Sequence, residues 1–182
     1  MLMISEVQAT NMLHVNGPGW IPTEAYYRCR YEILRQPLGF DEGAEILQDD
    51  GEAIHAYVEL EGRIVAVGRS HLIPHGSDGS QSDFPGQRGP KTPPFSQLTA
   101  MNRPAIQIRQ MGTLDAFRRQ GLAADVLNAL EKASRNEFNA SCGFLQAREI
   151  AIPFYKSQGW ELIDQPYSIP NVGPHRSMMK RF

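Results

Sequence analysis

The sequence predicts an α/β domain, and three observations support that prediction. Residues 106–111 alternate with period two, as in a strand, and apolar residues at helical spacing follow from Leu122. Residues 54–60 and 63–69 are two apolar runs around Glu61-Gly62, which is typical of a tight hairpin turn. Residues 24–34 carry a helical apolar face. Strands and helices therefore share one chain of ordinary domain size.

Composition excludes several classes of protein. The chain has 182 residues, a net charge of −2 and 41% hydrophobic residues, which predicts one soluble domain spanning residues 1–182. The charge gives no reason to expect nucleic acid or an anionic membrane as a partner. No secretory leader and no apolar run long enough to span a membrane is visible. Cys29, expected in a helix, and Cys142, expected in a connector, indicate reduced thiols in the cytoplasm and no metal site.

The N-terminal third predicts a helix followed by the hairpin. Thr23 is a suitable N-cap, and Pro37 and Gly39 end the helix. Residues 1–20 give little beyond a turn. His55, in the first hairpin strand, is interpreted as a surface or edge histidine.

Residues 71–104, called here the Pro/Gly loop, differ from the rest of the chain. They contain six prolines and four glycines and no apolar period. Three interpretations stay open: a flap over a substrate site, a disordered surface loop, or a contact between subunits such as a homodimer. His71 and His75 are four residues apart, but Pro74 argues against the helix that would bring them together as a metal pair.

The segment from residue 106 to residue 124 predicts an anion site. A basic turn, Arg118-Arg119-Gln120-Gly121-Leu122-Ala123, separates the strand from the helix. The first turn of a helix presents unpaired N–H groups and partial positive charge, which suit a phosphate or pyrophosphate. Small residues at 121 and 123 would let the ligand reach those groups.

The C-terminal third predicts alternating short elements. A connector at 135–143 leads to a strand at 144–148 and a helix at 149–158, which Gly159 ends as its C′ residue. Residues 160–164 predict a strand, 166–170 a loop and 176–182 the closing strand.

Two motifs in this order resemble the GNAT superfamily of N-acetyltransferases. R-x-x-G-x-A at 118–123 resembles its acetyl-CoA motif, and A-x-x-F-Y-x-x-x-G-W at 151–160 resembles its downstream segment. Residues 28–39 and P-H-x-x-M at 174–178 resemble further segments of one bacterial subgroup. The resemblance implies a mixed, mostly antiparallel sheet flanked by helices, with an acyl-CoA cleft where two central strands splay. Against shorter members, the Pro/Gly loop is an insertion.

The resemblance also implies site residues. Tyr155 would be the general acid that protonates the leaving thiolate. Phe154 would be mainly core and is also counted among the implied cofactor contacts. Arg148 replaces an asparagine that contacts the cofactor in many members. The remaining implied acetyl-CoA contacts include the backbone amides near Met111 and Gly112 and the basic turn: Met111, Gly112, Thr113, Arg118, Arg119, Gln120, Gly121, Leu122, Ala123 and Ala124.

The resemblance implies transfer of acetyl from acetyl-CoA to a primary amine of a small molecule or peptide, by direct attack of the amine and without a metal. Two alternatives stay open: a non-catalytic acyl-CoA-binding module and an acyltransferase for longer acyl groups. The central strand lacks the glutamate that many members use as a base. Four residues are candidate replacements: His71, Asp115, Glu149 and His175.

Overall fold

The computed structural model describes residues 11–82, 84–85 and 89–182, which form one seven-stranded sheet with three α-helices. The strands are β1 Met12–Asn16, β2 Ile54–Leu60, β3 Arg63–Leu72, β4 Ala105–Thr113, β5 Cys142–Arg148, β6 Glu161–Ile169 and β7 Gly173–Arg181. The helices are α1 Glu24–Leu34, α2 Leu122–Phe138 and α3 Ile152–Ser157. The strand order is β1-β2-β3-β4-β5-β7-β6, and only the β4–β5 pair among these strands is parallel. The predicted mixed, mostly antiparallel sheet is confirmed.

Helices α1 and α2 cover opposite faces of the sheet. Ala66 of β3 packs in the cluster that contains the buried face of α2, whereas Val67 packs with Tyr26 and Cys29 of α1. Successive strand residues point to opposite faces, so the two helices lie on different sides. The apolar residues whose spacing predicted α2 lie in the core. Val126, for example, is fully buried.

A buried ionic cluster lies beneath α1, and it shows that the prediction for His55 is wrong. Arg30 and Arg69 both bond to Asp50, at 3.1 Å and 2.8 Å. His55 is fully buried, with Nε2 2.8 Å from the Asp50 carbonyl oxygen and Nδ1 3.0 Å from the Tyr26 hydroxyl. Burial lowers the pKa of His55 to about 4, so the ring is neutral at pH 7. The period-two pattern around His55 did not predict that the Asp50 carbonyl oxygen and the Tyr26 hydroxyl would contact it on this face of the sheet.

The Pro/Gly loop is anchored in the core, contrary to its composition. β3 extends to Leu72, and Ile73 and Phe95 are each 3% exposed. The Phe95 ring lies 5.0 Å from the Phe144 ring of β5. Arg103 donates to the Pro74 carbonyl at 3.0 Å, which ties the two ends of the loop together. Ile73 and Phe95 are isolated apolar residues that form no periodic pattern, so the sequence did not predict that they would be buried.

Several boundaries also differ from prediction. Cys142 begins β5, and residues 166–169 continue β6 instead of forming a loop, so that of the predicted loop only residue 170 lies outside the strand. Residues 12–16 form edge strand β1. Both cysteines are free and buried, and burial raises the pKa of Cys29 to about 12. Within the described part of the chain, no helix is long and apolar enough to cross a membrane.

Candidate active site

The sheet opens between β4 and β5. Their parallel pairing joins Ala105–Ile108 to Cys142–Leu145 and ends there among the described residues. Opposite β3, β4 carries a register shift next to Gln110, whose φ is +53°. Such a bulge turns a strand away from its neighbour. Beyond Ile108 the two strands border a cleft of about 760 Å³, which matches the predicted splay.

One end of the cleft, called here the turn end, is formed by residues 117–119, 121–124, 150–151, 154–155 and 158. Gly121, with φ +81°, precedes α2, and a Cβ there would meet no atom within 4 Å. The Asp125 N–H bonds to the Gly121 carbonyl at 3.0 Å, so the N–H groups of Leu122, Ala123 and Ala124 come before the first intrahelical bond. This arrangement can bind an anionic group through backbone N–H groups.

The structure gathers nearly all the predicted site residues at this cleft. Gln120 is the exception, since it is exposed and does not line the cleft. Gly112 lies within β4, and a Cβ there would press on Ile33 of α1. The predicted residues that line the cleft are Met111, Gly112, Thr113, Arg118, Arg119, Gly121, Leu122, Ala123, Ala124, Arg148, Phe154 and Tyr155.

Tyr155 reaches the cleft from α3. Its ring packs between Phe154 and Trp160, with centroids at 5.0 Å and 6.4 Å. The side chain is 8% exposed, and burial raises the pKa of its phenol. The hydroxyl therefore stays protonated at neutral pH and can donate a proton. Trp160 is held by the hydrogen bond from its Nε1 to Glu131 at 2.9 Å, so the predicted motif also anchors α3 against α2.

Of the four candidate bases, His175 lines the cleft. Asp115 is exposed and paired with Arg118 at 2.7 Å, and Glu149 is exposed outside the lining. His71 is buried on β3, where it lies 3.4 Å from Arg69 and 3.0 Å from Gln81. His175, on β7 opposite Arg148, places Nδ1 2.8 Å from the Gly173 carbonyl oxygen.

The other end of the cleft, called here the loop end, comes from three distant segments of the chain, and its described lining consists of Ile33, Leu34, Arg35, Phe84, Pro90, Thr92, Ile169, Val172 and His175. The Arg35 guanidinium lies 4.9 Å from the centre of the Phe84 ring. A second cavity of about 780 Å³ adjoins this end and shares Phe84 and Pro90 with the cleft. Arg35, Phe84 and Thr92 were not predicted individually from the sequence. Two signals marked their regions: the resemblance of residues 28–39 to a segment of the bacterial subgroup and the unusual composition of the Pro/Gly loop.

Two polar atoms in the cleft lack a hydrogen-bond partner among the described residues. They are Oγ1 of Thr113 on β4 and Nε2 of Gln146 on β5, and both are buried. A buried polar atom without a partner costs stability unless a ligand or water completes it. These atoms belong to the two strands that diverge, Thr113 to β4 and Gln146 to β5.

The described residues contain no cluster of three or more His, Cys, Asp or Glu side chains suited to a metal ion. The chemistry that they offer consists of backbone N–H donors, arginines, a buried phenol and an imidazole.

Comparisons with known proteins agree with this geometry. The family model described as Acetyltransferase (GNAT) family matches residues 20–160. An uncharacterized N-acetyltransferase, YitI of Bacillus subtilis (strain 168), is 24% identical over 161 residues, covering 88% of this chain and 92% of YitI.

Solved structures share the fold at low identity. Escherichia coli ElaA is 14% identical with a TM-score of 0.66, over 94% of this chain and 100% of ElaA. A GNAT family acetyltransferase from Elizabethkingia anophelis, solved with acetyl-CoA bound, is 9% identical with a TM-score of 0.56, over 94% of this chain and 98% of that one.

Proposed function

Because the chain belongs to the acetyltransferase (GNAT) family and is an acyltransferase, we propose that it transfers the acetyl group of acetyl-CoA to a primary amine of a small molecule or peptide. The observation that carries the proposal is the cleft itself. It joins an anion-binding helix start to diverging strands and to a buried phenol. The two free, buried cysteines suit a cytoplasmic location, which we include in the proposal.

At the turn end, the N–H groups of residues 122–124 and the side chains of Arg118 and Arg119 would hold the pyrophosphate of acetyl-CoA. The pantetheine arm would lie between β4 and β5, where Thr113 and Gln146 offer polar atoms without described partners. The resemblance assigns polarisation of the thioester carbonyl to the backbone near Met111 and Gly112, and both residues line the cleft.

In the reaction, the amine nitrogen forms a bond to the acetyl carbon and the carbon–sulfur bond breaks. The leaving thiolate needs a proton, and Tyr155 is the donor that we assign. Its buried phenol is protonated over the whole neutral range because burial raises its pKa.

The test is an acyl-transfer assay with purified protein. Acetyl-CoA is offered with a library of primary amines, thiol release is followed, and each product is identified by its mass. We expect CoA release that depends on an amine and yields the acetylated amine. Tight binding without release from any acceptor would instead favour a non-catalytic acyl-CoA-binding module. A preference for longer acyl-CoA substrates would replace acetyl as the transferred group.

A further inference from the structure

The Pro/Gly loop is bonded to the strands that border the cleft, and one of its residues, Gln81, makes several of these bonds. The side-chain amide of Gln81 donates to Oε1 of Gln107 on β4 at 2.6 Å and lies 3.0 Å from Nε2 of His71 on β3. Gln107 in turn donates through Nε2 to Oε1 of Gln146 on β5, also at 2.6 Å. A chain of three carboxamides therefore runs from the loop across β4 to β5.

The last bond of this chain lies next to the point where the strands separate. Among the described residues, the parallel pairing of β4 with β5 ends with Ile108 opposite Leu145, and Gln146 is the next residue of β5. The bond from Gln107 to Gln146 therefore joins the two strands through side chains beside the end of the backbone pairing. Gln146 also lines the cleft.

The carboxamide chain lies on the face of the sheet opposite α2. Leu145 and Ala147, which flank Gln146 in β5, pack in the same cluster as the buried face of α2. Side chains alternate along a strand, so Gln146 points to the other face. The Pro/Gly loop lies on that face too, because Phe95 packs on Phe144, two residues before Gln146. The chain is thus on the side of the loop, and α2, whose first turn is the proposed pyrophosphate site, is on the opposite side.

Further bonds connect the same part of the loop to the cleft wall. The N–H group of Thr92 donates to the Gln81 carbonyl at 3.0 Å, and the Thr92 hydroxyl donates to the same oxygen at 3.2 Å. The next carbonyl, that of Ser82, accepts from Arg109 of β4 at 3.0 Å. Thr92, Arg109 and Gln146 all line the cleft. Lining residues from the loop, from β4 and from β5 are therefore connected to one pair of loop residues.

We infer that Gln81 is a positioning residue for the proposed transfer, an inference that rests on the proposed function. Acetyl-CoA would occupy the turn end and the space between β4 and β5, which leaves the loop end for the amine. Gln81 does not itself line the cleft. It connects Thr92 of the loop end to Gln146 at the gap between the strands. It thereby fixes how the wall that the amine contacts is placed relative to the thioester.

The chemistry of the carboxamide explains why residue 81 must be a donor. A carboxamide has an acceptor end and a donor end, so a donor bound to its oxygen leaves its NH₂ group for the next partner. Because Gln81 donates to the Gln107 oxygen, Gln107 presents its NH₂ group to Gln146. Without that donor, Gln107 loses the bond that distinguishes its two orientations, and Gln146 loses a fixed partner.

The test replaces Gln81 by Met in the full chain, because Met keeps the length of the side chain and removes the donor. Steady-state kinetics use acetyl-CoA and the best amine from the library. We expect kcat/KM for the amine to fall by about fivefold, mainly through a higher KM, which is the size of effect that one lost hydrogen bond produces. The affinity for acetyl-CoA, measured by calorimetry, should stay unchanged.

A double-mutant cycle tests whether Gln81 acts through Gln146. Gln146→Met alone should also lower kcat/KM for the amine, and adding Gln81→Met should lower it by less than about twofold further. The control is Gln97→Met, because Gln97 belongs to the same loop but is exposed and lies outside the cleft lining. The control should leave both the kinetics and the acetyl-CoA affinity unchanged.

Four results would overturn the inference. An active wild type whose kcat/KM for the amine survives Gln81→Met would leave the proposed function intact and Gln81 without a role in it. Additive losses in the cycle would show that Gln81 does not act through Gln146. A lower kcat with both KM values unchanged, together with a lower melting temperature, would show that Gln81 only stabilises the fold. Absence of transfer to any amine by the wild type would overturn the proposed function and this inference together.

Discussion

The two ends of the cleft are built in different ways. The turn end takes its anion site from residues 117–124, a single stretch at the start of α2. The loop end combines the end of α1, part of the Pro/Gly loop and the β6–β7 hairpin, which lie up to about 140 residues apart in the chain. The first therefore forms with one local turn, whereas the second exists only after the sheet has assembled.

This difference separates backbone recognition from side-chain recognition. At the turn end the proposed binding groups are backbone N–H groups, and they require only a residue that tolerates φ +81° and small neighbours. At the loop end the lining consists of side chains such as Arg35 and Phe84, which are held by tertiary contacts. If acetyl-CoA binds as proposed, substitutions at the loop end should leave the N–H groups that hold it unchanged.

The largest expected effect tests how firmly the loop end is anchored. Phe95→Ala removes a ring that is 3% exposed and packs on Phe144, and it should lower the free energy of unfolding by about 3–5 kcal/mol. Urea denaturation measures the change. Met101→Ala, at a side chain that is 93% exposed, is the control and should stay within about 0.5 kcal/mol of wild type.

A change below about 1 kcal/mol for Phe95→Ala would mean that the Pro/Gly loop packs loosely. The interpretation of the Pro/Gly loop as a disordered surface loop would then regain support, and the loop end would not be a fixed wall.

The second prediction tests the turn end. Gly121→Glu places a side chain at φ +81° and a carboxylate beside the predicted phosphate site, so acetyl-CoA should bind at least about 100-fold more weakly. Isothermal calorimetry gives the affinity. Gly62→Glu is a matched control, because Gly62 has φ +78° and its Cβ would also meet open space, but it lies in the β2–β3 turn.

Equal losses in both glycine variants would point to a general effect of backbone strain. Unchanged acetyl-CoA affinity in a folded Gly121→Glu protein would show that the turn end is not the anion site.

The same contrast explains what the sequence could predict. The turn and α2 were predictable because each follows from a spacing within about ten residues. The cleft position of Tyr155 was instead implied by the resemblance of residues 151–160 to a family motif. Arg35 and Phe84 were not predictable, since their meeting depends on how α1 and the Pro/Gly loop pack on the sheet. A period-two pattern likewise predicts on which face of the strand His55 lies, but not that the backbone carbonyl of Asp50, in a short 3-10 helix, will bond to it.

The third prediction concerns the proton transfer that we propose for Tyr155, which lies at the turn end. Tyr155→Phe removes only the hydroxyl, so kcat should fall at least about tenfold while acetyl-CoA affinity stays constant. The phenol acts on charge that develops only as the thiolate leaves. Tyr57→Phe, on β2 outside the cleft, is the control and should leave kcat unchanged.

A parallel loss of kcat and affinity would make Tyr155 a contact of the turn end instead of a proton donor. Unchanged kcat would leave the ring as packing between Phe154 and Trp160.

The smallest expected effect asks whether side chains add to the backbone at the turn end. Arg118 is exposed and already paired with Asp115, and exposed ion pairs are worth about 1 kcal/mol or less. Arg118→Ala should therefore weaken acetyl-CoA binding by only about twofold to fivefold at low salt. The difference should vanish near 1 M salt, where the screening length is about 3 Å.

Arg28→Ala removes a similar exposed arginine, paired with Glu24 on α1, and should leave the affinity unchanged. A loss above about 50-fold that persists in salt would mean that the side chain, and not the helix start, holds the phosphates; the turn end would then resemble the loop end in depending on one side chain.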